Sequence, residues 1–257
     1  MSKWFINRYL KNPKVRNPLM IVGLPGIGNV GKIAVDFLID ELKAKKVLDF
    51  FSYSFPNAVF INEENLIDVP IIEVYYKKLS GIDLFLVGGD IQPIDDVGCY
   101  EFCELLLNEY KKFGGKKLIT LGGIGLQHVP KEPKIYCSGN SKRFINDFTK
   151  GVNVEKKVYG KVGPIIGVSG VLLGIAPRFG MEAITLLAET YAHPMYLGIK
   201  GSREIIKILK KKLGLKINLK DLDKEIKEME SELLKRTEEL STIIKPRRKG
   251  RDVSYIG

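Results

Sequence analysis

Residues 19–34 read LMIVGLPGIGNVGKIA, and this stretch decides the fold class. Its first four residues form an apolar run with the length of a buried strand. The glycine-rich residues 23–28 then make a turn that only small residues allow to be tight. From Asn29, which stands at an N-cap position, apolar side chains recur at helical spacing as far as Lys46. A strand, a glycine turn and a helix in this order predict a parallel α/β unit.

Glycines follow two further apolar runs in the same way. Residues 83–87 and 117–121 each predict a buried strand, and glycines come next at 88–89 and within 122–125. Loops at the carboxyl ends of parallel strands are where such sheets bind ligands. The sequence therefore predicts three glycine-bearing strand ends at one edge of the sheet.

Helical periodicity and short β-type runs complete the fold prediction. Apolar residues over 97–113 recur at helical spacing and stop at a glycine pair, as they do over 202–213 before Gly214. Closely spaced β-type runs between residues 47 and 76 predict antiparallel strands. Residues 183–190 fit either a strand or a helix. We predict a three-layer α/β fold with a mostly parallel sheet and an antiparallel strand insertion.

The ends of the chain differ in composition from this domain. Residues 1–18 are rich in Pro, Asn and Lys, which predicts a leading arm before an α/β domain at 19–214. Residues 215–245 predict an amphipathic helix, because apolar side chains fall three and four apart, a heptad interrupted at Arg236. Residues 246–257 predict a basic, mobile tail.

Composition limits the functional classes. The chain has 257 residues, 45% of them hydrophobic, and its formal net charge is +11. An odd number of cysteines and the lack of a secretion signal or of an apolar run near 18 residues predict a cytoplasmic protein outside the membrane. RNA binding is one hypothesis for the charge, but we rank it third because the cations are spread along the chain and no aromatic residues interleave with the terminal cluster.

The glycine turn also fits the dinucleotide-binding pattern G-x-G-x-x-G through Gly26, Gly28 and Gly31. Asp49, near the end of the next predicted strand, stands about where a ribose-binding acid would be. Pro25, however, removes an amide that an anion would use. A nucleotide-binding enzyme, for example one like an ATP-dependent ligase, is therefore the alternative hypothesis. The competing hypothesis is that these glycines serve close packing of the helix on the sheet.

Other reactive side chains form no recognisable catalytic or metal-binding set. His128 and His193 both adjoin proline turns and belong to no triad or zinc motif. Cys99 and Cys103 lie four residues apart on a predicted helix, where we expect core fillers. We therefore predict no catalytic residues, no metal and no cofactor.

Three carboxylates follow the second glycine-bearing strand end. Asp90, Asp95 and Asp96 would be acids, bases or magnesium ligands if the site were catalytic. They lie just before the predicted helix, however, and an aspartate there is usually an N-cap. Helix capping is the interpretation we favour.

Several of these motifs together resemble one known family. The segments 23–34 and 121–125, the sequence LVGGDIQP at 86–93, and the stretches at 55–56 and 72–76 resemble the proteasome assembly chaperone family. These are the archaeal relatives of the second eukaryotic assembly-chaperone subunit, and the resemblance covers about residues 19–210. It implies a fold similar to nucleoside phosphorylases without their catalytic groups, homo-oligomers, and binding of proteasome α subunits.

Some relatives look like proteasome activators whose C-terminal tails insert between α subunits. Those tails end in a hydrophobic residue, a tyrosine and any last residue, whereas in this chain the tyrosine is third from the end. The cations of the tail would be attracted to an acidic partner surface, with the tyrosine as an aromatic anchor. The predicted partner-binding residues are Arg247, Arg248, Val253, Tyr255 and Ile256.

Overall fold

A computed structural model describes residues 3–9, 15–220, 222–224 and 226–228 of the chain. The chain divides into two units, Met1–Asn218 and Leu219–Gly257. Leu215 and Ile217 are buried, so the first unit extends four residues beyond the predicted boundary at 214. Most of the predicted heptad helix and the whole tail 246–257 lie outside the described residues, although residues 220, 222–224 and 226–228 are helical.

The strands and helices of the first unit alternate along much of the chain. The strands are β1 (Trp4–Arg8), β2 (Pro18–Val22), β3 (Lys45–Ser52), β4 (Phe60–Ile61), β5 (Ile67–Asp68), β6 (Ile72–Lys78), β7 (Asp83–Gly89), β8 (Lys117–Leu126), β9 (Ile135–Gly139) and β10 (Glu182–Tyr191). The α-helices are α1 (Val30–Leu42), α2 (Asp96–Lys112), α3 (Lys142–Thr149), α4 (Val168–Ile175) and α5 (Ile199–Leu213).

Eight strands form one sheet in the order β1-β3-β6-β7-β2-β8-β10-β9, and β4 pairs with β5 in a separate hairpin. The four central strands β7, β2, β8 and β10 are parallel. On one side β6, β3 and β1 add antiparallel pairs, and β9 does so on the other. The prediction of an α/β fold is confirmed, with a mixed sheet whose parallel part is its centre.

Helices cover both faces of the sheet, which gives the predicted three layers. On one face α2 and α4 bury an apolar cluster with alternate residues of the central strands, among them Met20, Phe85 and Leu118. Phe102 of α2 is fully buried there, with its ring centroid 5.3 Å from that of Phe50. On the other face α1 packs against α5, β7 and β8. Successive strand residues point to opposite faces, so each strand serves both layers.

The N-terminal segment differs from the predicted leading arm. Residues 4–8 are an edge strand, β1, paired antiparallel with β3. Trp4 stacks on Phe102 at 5.8 Å, and its indole N–H donates to Glu101 at 2.9 Å. Every second residue faces α2, and this period of two is the mark of a strand.

The glycines at 122–125 do not form a turn. They lie inside β8, which pairs with β10 as far as Leu126. A Cβ on Gly123 would come 2.3 Å from the backbone oxygen of Ile27, so the glycine allows the turn after β2 to lie on the strand. The prediction of a third glycine-bearing strand end is therefore wrong, and residues 183–190 belong to a strand, β10.

Candidate functional site

The glycine turn lies where an open α/β sheet usually binds ligands. Helix α1 follows β2 onto one face of the sheet, and α2 follows the neighbouring strand β7 onto the other. The chain therefore diverges at the carboxyl ends of β2 and β7, which is the position of the ligand crevice in doubly wound folds. The arrangement of residues 23–31 at this crevice decides whether it can hold a ligand.

Close packing accounts for two of the turn's glycines. A Cβ on Gly23 would lie 2.0 Å from the backbone oxygen of Gly31, and a Cβ on Gly31 would lie 2.4 Å from that of Leu121. Both contacts are with backbone atoms, which cannot rotate away as a flexible side chain would. These glycines therefore let α1 begin directly against the sheet.

Gly28 and Gly26 differ in their surroundings. Gly28 has φ +61°, and a Cβ there would lie 2.6 Å from the hydroxyl oxygen of Thr190. Its carbonyl accepts a hydrogen bond from the backbone N–H of Gly198 at 2.7 Å. No atom lies within 4 Å of a Cβ built on Gly26, so of the three motif glycines only Gly26 is open at the Cβ position. The turn is thus packed against β10 and the start of α5.

A side chain bridges the crevice. The amide of Gln92 donates to the backbone oxygen of Pro25, in the glycine turn, and accepts from the backbone N–H of Val168 at 3.0 Å. Val168 is the first residue of α4, so one side chain joins the turn after β2 to the layer on the other face. Gly167 leaves room for it, because a Cβ there would lie 2.7 Å from the Gln92 Oε1. Gln92 therefore ties the glycine turn to the start of α4 across the crevice.

A lysine in the first turn of α1 is already paired. Lys32 Nζ lies 2.7 Å from Asp36 Oδ2 and 2.7 Å from Asp90 Oδ1. Burial lowers the pKa of Lys32, but the hydrogen bonds to both carboxylates outweigh it, and the net shift is upward. Burial raises the pKa of Asp36, and Lys32 opposes this. Asp90 thus joins β7 to α1 through a lysine.

Asp49 is far from the glycine turn, and its predicted ribose-binding position is wrong. It lies on β3, and β6 and β7 separate that strand from β2, which puts three strand spacings, about 14 Å, between them. The carboxylate is buried and accepts from Asn7 Nδ2 at 2.9 Å and from the hydroxyl of Tyr9 at 2.6 Å. Asp49 fixes the edge strand β1 to the sheet.

The capping interpretation is confirmed for one of the three carboxylates after β7. Asp95 is the N-cap of α2, and its Oδ1 accepts from the backbone N–H of Gly98 at 2.7 Å. Asp96 lies in the first turn of the helix, where a carboxylate interacts favourably with the helix dipole.

The cysteines of α2 belong to the core, as predicted. Cys99 and Cys103 are both buried, and the Cys103 thiol donates weakly to the backbone oxygen of Val168 at 3.8 Å. Burial raises the pKa of Cys103, so this thiol stays protonated. His128 and His193 are exposed. Within the described residues, no three His, Cys, Asp or Glu side chains are grouped as a metal site would need.

The geometry of the crevice does not identify a protein family, but comparison with known proteins does. The model of the PAC2 family matches residues 20–236. The chain belongs to the PAC2 family. An uncharacterized protein of Methanocaldococcus jannaschii is 31% identical to it over 228 residues, which are 88% of this chain and 86% of that protein.

Two solved structures from Pyrococcus furiosus resemble this PAC2-family chain over nearly its whole length. PbaB, described as an archaeal proteasome activator, is 33% identical with a TM-score of 0.85, covering 93% of this chain and 100% of PbaB. PbaA, described as an archaeal homolog of proteasome-assembly chaperone, is 28% identical with a TM-score of 0.73, covering 93% and 94%.

The sequence alone does not reveal Gln92 as the connecting residue of this PAC2-family chain. Its partners Pro25 and Val168 are 67 and 76 positions away, so no local pattern could point to them. The predicted partner-binding residues remain predictions, since all of them lie outside the described part of the chain: Arg247, Arg248, Val253, Tyr255 and Ile256. In that described part, no helix combines the length and apolar character needed to cross a membrane.

Proposed function

We propose that this chain is a homo-oligomeric cytoplasmic protein that binds proteasome α subunits, as an assembly chaperone or an activator, without catalysing a reaction. The observation that carries the proposal is the match to PbaB, an archaeal proteasome activator, with a TM-score of 0.85 and 33% identity over 93% of the chain. Similarity to PbaA, a homolog of a proteasome-assembly chaperone, supports the same class of function.

The candidate site supports binding through the protein surface rather than through the crevice. Packing explains Gly23 and Gly31, and the Gln92 side chain bridges the turn to α4. Asp49, the acid that a dinucleotide would need, is three strands away. A nucleotide-binding enzyme is therefore the less supported alternative.

The test is direct binding of the full-length chain to purified proteasome α subunits. Native mass spectrometry and size-exclusion chromatography should detect a complex with α subunits, α rings or the assembled 20S particle. Two further measurements distinguish an assembly chaperone from an activator. A chaperone raises the yield of particles from separate α and β subunits, whereas an activator raises peptide hydrolysis by finished particles. Absence of any complex would overturn the proposal.

A deletion and a point substitution test the role of the C-terminal tail in binding. Deleting residues 245–257 should weaken capture of α subunits while leaving the oligomer intact, because the tail supplies cations and an aromatic anchor. Tyr255→Ala should reduce affinity about tenfold or more, as loss of a hot-spot aromatic does. Tyr159→Ala is the matched control, since Tyr159 is fully exposed in the first unit. Equal capture by the truncated chain would remove the tail from the proposal.

A further inference from the structure

The segment from β3 to β6 differs in charge from the rest of the chain. Residues 47–76 contain five carboxylates and no Lys, Arg or His, in a protein with 41 Lys and Arg and 30 Asp and Glu. The net positive charge therefore belongs entirely to the rest of the chain. Asp49 is buried and Glu73 is paired with Lys46 at 2.6 Å. The exposed carboxylates that remain are Glu63, Glu64 and Asp68, and they are complementary in charge to the basic remainder of the protein.

This segment carries an ordered hairpin made of β4 and β5. In its turn, the Asn62 side-chain oxygen accepts from the backbone N–H groups of Glu64 at 3.1 Å and Leu66 at 2.9 Å. Asn62 Nδ2 donates to Asp68 Oδ2 at 2.9 Å, which joins the two strands. Asn65 takes the left-handed conformation, with φ +61°, that such a turn requires. The hairpin thus has a defined shape.

Its apolar side chains are exposed. Ile61 is 72% and Ile67 is 68% exposed. A two-stranded hairpin is marginal by itself in water, and exposed apolar clusters of this kind mark interaction sites. We call residues 59–69 the apolar hairpin, and its exposed side chains are Val59, Phe60, Ile61, Leu66, Ile67 and Val69.

A cleft lined by aromatic rings and lysines lies elsewhere on the same unit. Its volume is about 760 Å³, and the rings of Phe113, Phe144 and Phe148 line it together with Leu19 and other apolar groups. We call it the basic cleft, because its charged lining is three lysines against one carboxylate: Lys116, Lys117, Lys212 and Asp147.

The lysines of the basic cleft lie close to its aromatic lining. Lys117 Nζ is 5.0 Å from the centre of the Phe144 ring, and Lys212 Nζ is 5.7 Å from that of Phe148. The Lys212 ammonium also donates to the backbone oxygens of Asp147 and Lys150. The cleft therefore offers an apolar interior with positive charge at its rim, which suits an apolar group flanked by carboxylates.

The apolar hairpin and the basic cleft lie at opposite ends of the strands of the sheet. The hairpin follows the carboxyl end of β3, a strand that runs parallel to β7 because both are antiparallel to β6. The cleft lies beside Pro18 and Lys117, which begin β2 and β8. One molecule cannot place its own hairpin in its own cleft across the length of the strands. A second copy can.

We propose that the apolar hairpin of one copy docks in the basic cleft of a second copy, head to tail. Hairpin-to-hairpin pairing would bring Glu63, Glu64 and Asp68 against their own copies, and like charges at an interface are costly. A head-to-tail contact uses a different surface on each copy, so it forms a closed ring when the rotation allows. This inference rests on the self-association in the proposed function, and not on proteasome binding.

The experiment measures the mass of the full-length chain by sedimentation equilibrium. The hairpin variant Ile61→Ser/Ile67→Ser and the cleft variant Lys116→Glu/Lys117→Glu should each be monomeric at concentrations where the wild type is an oligomer. Ile166→Ser, at an exposed position outside both surfaces, and Lys131→Glu/Lys156→Glu, which matches the charge change, should behave as the wild type. An equimolar mixture of the two variants should form a dimer and nothing larger. The intact hairpin of the cleft variant can dock in the intact cleft of the hairpin variant, and the other two surfaces are disrupted.

A second measurement does not depend on disrupting the cleft. On oxidation, a chain with Ile67→Cys and Lys116→Cys should form covalent multimers, while each single variant should stay mostly monomeric on a denaturing gel. The three native cysteines are buried and do not compete. Strong dimerisation of Ile67→Cys alone would mean hairpin-to-hairpin pairing and would overturn the proposal.

Two outcomes separate this inference from the proposed function. A monomeric wild type would overturn both the interface and the oligomeric part of the function. An oligomer that neither the hairpin variant nor the cleft variant dissociates would overturn the interface alone, and binding of α subunits by the wild type would still stand.

Discussion

A Cβ atom on Gly31 would lie 2.4 Å from the backbone carbonyl oxygen of Leu121. This distance is shorter than any normal contact between a carbon and an oxygen atom. The first turn of α1 therefore lies against β8 in a way that no residue other than glycine allows.

Gly31→Ala should consequently destabilise the fold by about 3 kcal/mol, the upper part of the range for overpacking. Gly26→Ala is the matched control in the same turn. A Cβ there has no neighbour within 4 Å and the residue has φ −170°, so the change should stay within about 0.5 kcal/mol. Urea denaturation of both variants checks this, and equal losses would contradict the packing explanation.

Gln92→Ala should lower the free energy of unfolding by about 2 kcal/mol, because it removes two hydrogen bonds and leaves Pro25 and Val168 without their partner. Amide hydrogen exchange should also speed up at Val168. Gln127→Ala, at an exposed position, provides the control and should leave stability unchanged. Normal protection of the Val168 amide in the Gln92 variant would show that other contacts, and not the hydrogen bond to Gln92, protect this amide.

Glu109 should make the stability depend on pH. Burial raises the pKa of its carboxyl, but hydrogen bonds from Arg8 and Lys112 outweigh this and lower the pKa below 4.5. A carboxyl whose pKa is lowered by folding stabilises the protein above its unfolded-state pKa, and this contribution disappears as the pH falls through the folded value.

Glu109→Gln should therefore be less stable than the wild type at pH 7, and the difference should shrink below about pH 4.5. Chemical denaturation at a series of pH values measures it. Glu104→Gln, at an exposed position on the same helix, should show a much smaller difference at every pH. A gap that stayed constant from pH 7 to pH 3 would contradict the assignment.

Nucleotides should not bind at the glycine turn. Calorimetry of the full-length chain with NAD, ATP and nucleosides should give no saturable heat, because Gln92 bridges the crevice and Gly28 is packed against Thr190. Micromolar binding that Gly28→Val abolished would restore the nucleotide hypothesis and weaken the one based on surface binding.

Much of the fold could be predicted from local patterns, but the sheet order could not. The runs that became β2 and β7, and the helical spacing of α1 and α2, carry their own signals of periodicity and glycine stops. Asp49 was misplaced because its strand follows α1 in the chain yet pairs with β1 and β6. Which strands become neighbours depends on long-range packing, and no local pattern encodes it.

Besides β1, two further stretches of strand escaped prediction for different physical reasons. The second half of β8 contains Gly122, Gly123 and Gly125, and glycine usually weakens a strand. Here it is needed, because Ile27 and Ala192 approach the backbone closely. Strand β9 is five residues long and ends in Ser-Gly, so its signal is too short to separate from a loop. The position of the glycine turn after β2 could be predicted, but the contacts that Gln92 makes there depend on residues distant in sequence.

Strand β1 has a consequence for how the protein is made. Its Arg8 binds Glu109 and the indole of its Trp4 binds Glu101, about a hundred residues later in the chain. Until α2 has been synthesised, the nascent β1 lacks these partners, and an incompletely packed apolar strand is open to wrong neighbours. This PAC2-family chain would thus need protection itself while it is still on the ribosome.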